Sequence, residues 1–209
     1  MDEQALIASA RKGDARAFNQ LVLLYQTRVY NLAYRILGDR DAAADATQDA
    51  FISAFKAMGR FRGGSFKAWL LRIVTNACYD QLRSKQRRPA DSLEDLPVDQ
   101  DHIRYLRDPS EQPDEYVERR ELNDMIQRGI QTLPAEQRIV VVLSDVQGMS
   151  YQEIAQITDL SLGTVKSRLS RGRAKLRDYL LRQRELLPSR YRLRDATRGQ
   201  RAQSVGGRS

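Results

Sequence analysis

Between Ser150 and Arg177 the chain sets hydroxyl, ammonium and guanidinium groups at spacings that a helix would gather on one face. Ser150, Tyr151, Gln152 and Glu153 form a capping box, in which the serine hydroxyl accepts the Glu153 amide while the carboxylate reaches back. A short helix over Tyr151–Ile157 is expected from it, with Thr158–Leu160 as a turn and Ser161 as a second N-cap. The helix after Ser161 is expected to bury Leu162, Val165, Leu169 and Leu176 and to present Thr164, Lys166, Ser167, Ser170, Arg171 and Arg173. Ala155 is small where a crossing helix leaves little room. This is a helix-turn-helix. Its second helix fits the DNA major groove, where Lys and Arg donate to guanine O6 and N7 and Ser or Thr pair with several bases. First-turn amides can also receive a phosphate. The competing reading is a plain helical hairpin with a solvated basic face; against it stands the ordered run of cap, small residue, turn, cap and basic helix.

The net charge of +8 is sorted along the 209 residues. Lys and Arg exceed Asp and Glu by 7 over Arg60–Pro89 and by 5 over Gly163–Leu181, whereas Ala90–Glu118 carries a net −8. Two basic blocks flanking an acidic one suggest two separate polyanion contacts. Catalysis has little to work with. The single Cys78 and single His102 exclude a multi-cysteine zinc site and a disulfide framework within the chain, and no metal or cofactor is expected. No apolar run approaches the roughly 20 residues of a membrane span, and Met1–Gly13 lacks a signal-peptide core, so a cytoplasmic protein without membrane insertion is expected.

The elements that must position these groups read as helices, with no competing strand pattern. Phe18, Leu21, Val22, Tyr25, Val29, Leu32, Ala33 and Ile36 mark one face of a helix ending at Gly38. A second, about Arg40–Met58, is expected to bury Ala46, Ala50, Phe51, Ala54, Phe55 and Met58; Asp41, Asp45 and Asp49 line its other face. On spacing alone that stripe reads as solvated surface, with Asp41 complementing the helix N-terminus. After the Arg60–Gly64 loop, Ser65 caps a third helix to about Ser84, with Phe66, Trp69, Leu70, Ile73, Val74, Ala77 and Leu82 apolar. Its other face carries Lys67, Arg72, Thr75, Asn76, Tyr79, Asp80 and Arg83, which suits nucleic acid as well as it suits an ordinary exposed surface. Four prolines and no periodicity from Pro89 to Pro113 read as a flexible acidic linker. Further helices are expected over Tyr116–Thr132 and Ala135–Asp145, and a disordered basic tail over 185–209.

Two motif sets in order give the chain a resemblance. Asp45-Ala-Thr-Gln48-Asp49-Ala-Phe51 and Phe66-Lys-Ala-Trp69-Leu70-Leu-Arg72-Ile73-Val-Thr-Asn76 resemble the second conserved region of the extracytoplasmic-function group of bacterial sigma factors. Leu133-Pro134-Ala-Glu136-Gln-Arg138 and Gly163-Thr164-Val165-Lys166-Ser167-Arg168-Leu169 resemble the fourth. The resemblance implies that Asp45, Gln48 and Asp49 dock on the clamp helices of the largest subunit of core RNA polymerase. It implies that Arg60, Arg62, Ser65, Arg72, Asn76 and Asp80 belong to the minus-ten reader and strand-opening element, where a turned-out base is captured. Lys166, Ser167, Ser170 and Arg171 match minus-thirty-five reading positions, and Thr164, Arg168 and Arg173 match phosphate grips. Asp80 departs from what suits DNA and is expected to cap or to pair with Arg83 or Lys85. Trp69 reads as core rather than as a base-stacking platform.

The expectation is an all-α protein of two small helical domains joined by a flexible acidic linker, the C-terminal one containing the helix-turn-helix: a region 2-like domain over 1–88, the linker over 89–115, a region 4-like domain over 116–184 and the tail. It implies promoter DNA and core polymerase as partners, an anti-sigma protein as inhibitor, and neither a small-molecule substrate nor catalysis. A stand-alone regulator would leave the acidic stripe and the first basic block without a task. An enzyme acting on nucleic acid would need the paired carboxylates or His and Cys ligands that hydrolysis or metal binding requires, and the sequence lacks them.

Overall fold

The computed structural model describes residues 2–87 and 113–183, and every regular element among them is helical. The acidic stretch expected as a linker lies outside the described residues as far as residue 112, and so does the basic tail from residue 185.

Helix α1, Glu3–Arg11, was not expected from the sequence; Asp2 caps it by accepting the Gln4 amide at 3.0 Å, and Ile7 and Ala10 are buried. Helix α2, Ala15–Leu37, starts at Asp14, whose carboxylate accepts the amides of Arg16 and Ala17, and stops at Gly38 in the left-handed conformation (φ 77°). Helix α3, Arg40–Ala57, is capped by Asp39, and a 3-10 turn, Met58–Arg60, ends it.

The buried face of α3 is Ala43, Ala46, Ala50 and Ala54, all at 0% exposure. Small side chains at steps of three and four let α3 lie close against α2 and α4. That differs from the expected face: Phe51 is half-buried and Phe55 is 44% exposed, touching Phe18 edge-on with ring centroids 5.1 Å apart. Helix α4, Phe66–Arg87, buries Phe66, Leu70, Leu71, Val74 and Cys78. Thr75, expected on the polar face, is buried, and its hydroxyl donates to the Leu71 carbonyl at 2.7 Å.

The second domain opens with α5, Pro113–Gln131; Pro113, counted above among the linker prolines, begins the helix, a position where its missing N–H costs nothing. Helix α6, Ala135–Val141, runs into a π-helical turn, Val142–Val146. Helices α7, Tyr151–Thr158, and α8, Leu162–Arg182, form the helix-turn-helix. A close crossing falls at Gly172 of α8, where an added Cβ would lie 2.7 Å from Val141 Cγ2 of α6. Leu162, expected to be buried, is 42% exposed because it opens α8 at the end of the turn.

The domains touch. A single apolar cluster runs from α1–α4 into Ile130, Leu133, Ile139 and the helices after them, and α4 packs on α7.

Candidate nucleic-acid interface

The capping box at α7 forms as the sequence indicates. Ser150 Oγ accepts the Glu153 amide at 3.2 Å, and Glu153 Oε2 accepts the Ser150 amide at 2.8 Å. These bonds from Ser150 hold the Glu153 carboxyl below its ordinary range. Asp159 takes the left-handed turn position (φ 54°), which aspartate tolerates better than most residues. Ser161 then accepts the Thr164 amide at 3.1 Å, and its hydroxyl lies 2.9 Å from that of Thr164.

From this start α8 exposes Lys166, Ser167, Ser170, Arg171 and Arg173, while Val165, Leu169 and Gly172 face inward. Arg171 donates to the Ser167 carbonyl at 3.2 Å and to its hydroxyl at 3.3 Å, which lays the guanidinium along the helix. Two of the expected phosphate grips are occupied within the chain. Arg168 pairs with Glu136 at 2.6 Å beside the Tyr79 hydroxyl. Arg173 makes a two-pronged bond to the Asp145 carboxylate and reaches Ser144 Oγ at 3.3 Å, and Asp145 holds its pKa above the usual arginine value. A groove of about 510 Å³ runs along this face, lined by Lys166, Ser170, Arg173, Tyr151 and Arg177. Tyr151 and Arg177 were not among the residues singled out in sequence. Arg177 follows Arg173 by one turn and was legible by spacing, whereas Tyr151 reaches the groove through folding of α7 onto α8.

The first domain holds a second cationic cleft. Gly63 and Gly64 (φ 98° and 88°) shape the loop before α4, and Ser65 Oγ accepts the Ala68 amide at 3.1 Å. Arg60, Arg62, Ser65, Arg72, Asn76 and Asp80 are all exposed. Arg72, Asn76 and Asp80 recur every four residues and form one line along α4. Trp69 is half-buried against Phe61 and Phe66, with ring centroids at 5.1 and 5.5 Å, so most of the ring supports the loop while one part lines the cleft. The cleft, about 410 Å³, takes Arg60, Arg62, Ser65 and Arg72 on one side and Glu153, Gln156 and Ile157 of α7 on the other. Asn76 and Asp80 do not line it.

On α3, Asp45, Gln48 and Asp49 are exposed together, and Ile52, 44% exposed, prolongs their line by one turn. Ile52 was not singled out in sequence; an apolar residue at three and seven positions after Asp49 and Asp45 is its signal. Among the described residues no cluster of His, Cys, Asp and Glu could hold a metal ion, and no helix is long and apolar enough to cross a membrane.

Comparison with known proteins matches two family models to this chain: Sigma-70 region 2 over residues 21–88 and Sigma-70 region 4 over residues 123–176. The ECF RNA polymerase sigma factor SigE of Mycolicibacterium smegmatis is 40% identical over 164 residues, covering 78% of this chain but only 62% of that protein's length. The RNA polymerase sigma-H factor of Pseudomonas aeruginosa is 39% identical over 176 residues, covering 82% of this chain and 90% of that protein. Among solved structures, the sigma factor RpoE in complex with the anti-sigma factor NepR from Bartonella quintana superposes with a TM-score of 0.62 at 26% identity, over 80% of this chain and 98% of that one. CnrH in complex with the cytosolic domain of CnrY gives 0.62 at 30% identity, over 87% and 99%.

Proposed function

Because this chain belongs to the ECF group of RNA polymerase sigma factors, we propose that its surfaces divide the work of promoter recognition among three tasks. A sigma factor gives core polymerase its promoter and does no chemistry of its own. Residues 1–88 act as the region 2 unit and 116–184 as the region 4 unit, with 89–115 as the tether and the tail beyond 185 as a solvated or DNA-clamping appendage.

Asp45, Gln48 and Asp49 dock on the clamp helices of the polymerase largest subunit. The exposure of that stripe on a helix whose inner face is alanine carries the assignment, because α3 offers a close-packed strut with acceptor groups for basic partner side chains. Arg60, Arg62, Ser65, Arg72, Asn76 and Asp80 serve the minus-ten element, with the cationic cleft at Trp69 as the place for an unstacked base. Lys166, Ser167, Ser170 and Arg171 read minus-thirty-five base edges, and Thr164, Arg168 and Arg173 hold phosphates. For Arg168 and Arg173 this requires that Glu136 and Asp145 share them with DNA. The protein works in the cytoplasm, and an anti-sigma protein is its inhibitor, a reading supported by the complex of RpoE with the anti-sigma factor NepR.

Run-off transcription with core polymerase on genomic promoter fragments tests the reading. Promoter-dependent transcripts that require this chain are expected; their absence would sink it. Asp45→Lys with Asp49→Lys should abolish co-purification with core polymerase while circular dichroism stays unchanged, and undiminished co-purification would refute the docking assignment.

A further inference from the structure

Between the 3-10 turn Met58–Arg60 and α4 runs the short loop that carries Arg62, Gly63, Gly64 and Ser65 along the cationic cleft. At both glycines φ is positive, and an added Cβ would meet nothing within 4 Å, so the tip of the loop stands clear of the rest of the chain. Its hold comes from its ends. Phe61 and Phe66 are both buried and meet edge to face, with ring centroids 5.8 Å apart and planes at 90°. Trp69 rests on both, tilted at 49° to Phe61 and at 41° to Phe66.

The cluster has a further member on another helix. Tyr25 of α2 meets Phe66 edge to face, with ring centroids 5.4 Å apart and planes at 66°. Such a pair is directional, because the positive rim of one ring seeks the negative face of the other, so the contact depends on the plane in which the Tyr25 ring lies. That plane is set from outside the cluster: the Tyr25 hydroxyl donates to Glu3 Oε1 of α1 at 2.8 Å. Helix α1 in turn buries Ile7 and Ala10 and packs on α2 and on the 3-10 turn from which the loop departs.

We propose that Tyr25 is a positioning residue for the binding of single-stranded DNA in the cleft: Glu3 fixes its ring, the ring fixes Phe66, and Phe66 with Phe61 and Trp69 fixes the loop that carries Arg62 and Ser65. Tyr25 does not line the cleft and acts only through the rings between. The proposal rests on the minus-ten reading above for the identity of what enters the cleft. Helix α1 thereby acquires a task, which is to hold an acceptor at the far end of an aromatic relay. A Tyr25 that only filled space would behave differently: loss of its acceptor would lower stability and leave the cleft as it is.

Glu3→Ala in the full chain tests this, because it removes the acceptor from a partly exposed site on α1 and leaves every side chain of the cleft in place. Glu3→Gln removes the same charge but keeps a carbonyl oxygen as acceptor, so the difference between the two variants reports the bond rather than the charge. Trp69 is the only tryptophan and sits within the cluster. Acrylamide quenching of Trp69 should rise in Glu3→Ala, and affinity for a labelled random-sequence single-stranded oligonucleotide should fall; Glu3→Gln should restore both toward wild type. A loop that keeps its competent position about one-tenth of the time binds about tenfold more weakly.

Ile36→Val, a buried change further along α2, gives the baseline for a loss of stability alone: Tm falls while Trp69 quenching holds. Unchanged quenching in Glu3→Ala would overturn the positioning role. Equal effects of Glu3→Ala and Glu3→Gln would overturn it too, because the charge and not the bond would then be the cause. Greater quenching with unchanged affinity would mean that the loop shifts without consequence for single-stranded DNA, which overturns the minus-ten reading and with it the role of Tyr25. Tyr25→Phe keeps the ring and loses the hydroxyl, so it should follow Glu3→Ala in both readouts; wild-type behaviour of this variant would refute the relay.

Discussion

Asp145→Asn isolates how much of the charge on α8 is available to DNA. In the folded chain Asp145 holds Arg173 through both carboxylate oxygens, although Arg173 lies in the groove beside Lys166 and Ser170. Asparagine keeps an acceptor for the guanidinium and removes the negative charge, so the face gains one uncompensated cation. Each phosphate neutralised contributes about −0.9 to the slope of log K against log salt, so one added contact steepens the slope by about 0.9. At 0.1 M salt that contact is worth about eightfold in affinity, or about 1.2 kcal/mol. The loss in stability is smaller, about 0.2–1 kcal/mol, because the pair is partly exposed to solvent. Anisotropy titrations of a labelled random-sequence duplex at several salt concentrations measure the slope. An unchanged or shallower slope in the variant would refute the idea that Asp145 masks Arg173, and would mean that Asp145 serves DNA binding by holding the guanidinium in place.

Arg171→Ala should cost about 1–3 kcal/mol of specific binding and relax one promoter position, read by in vitro selection; equal weakening on all sequences would make Arg171 a phosphate contact. Gly172→Ala should destabilise the chain by about 1–3 kcal/mol through contact with Val141, lowering Tm by about 2–4 °C per kcal/mol. In calorimetry, additive costs with Val141→Ala would show that the crossing does not depend on the missing Cβ. Burial and the 2.8 Å bond to Glu3 push the Tyr25 hydroxyl up to about 12. A raised value in the fold means that neutral Tyr25 contributes stability in full below its ordinary value of about 10, and that the contribution is lost as pH rises from there toward 12. Glu3→Gln should therefore lower one midpoint in the phenolate absorbance titration, and an unshifted titration would count against the bond.

The local rules of helix formation made much of this fold legible. Caps at Asp39, Ser65, Ser150 and Ser161 require only neighbours a few residues away, and the structure uses the Ser65, Ser150 and Ser161 caps that the sequence indicated. Burial was less legible where side chains are small. The alanine face of α3 carries little hydrophobic weight, so Phe55 was drawn into the expected core, whereas close helix approach favours alanine and leaves the ring half outside. Helix α1 has only Ile7 and Ala10 to bury, too weak a pattern to stand out. The exposed positions of Asp45, Gln48 and Asp49, Arg60, Arg62 and Arg72, and Lys166, Ser170 and Arg171 follow from periodicity, but their partners do not. Glu136 lies 32 residues before Arg168 and Asp145 lies 28 before Arg173, so a count of charge along the sequence overstates what α8 offers to DNA.

That overstatement and the closed interface bear on the same step. On α8, Lys166 and Arg171 are exposed and lie outside any carboxylate ion pair among the described residues, so this face can meet duplex DNA in the closed chain. The cleft at Trp69 is walled on one side by Glu153, Gln156 and Ile157 of α7. Arg168 lies between the two surfaces: on α8, it pairs with Glu136 of α6 and sits beside Tyr79 of α4. When α4 moves away, Arg168 loses its neighbour at Tyr79 and keeps only an exposed carboxylate, which a phosphate can outcompete more readily than it could in the closed chain. On the proposed reading, separation of the domains would widen the cleft at Trp69 and free a cation on α8 together. If the two events are linked in this way, Tyr79→Phe should leave Trp69 quenching in the closed chain unchanged while steepening the salt dependence of duplex binding. A variant that alters neither would place Arg168 outside the coupling.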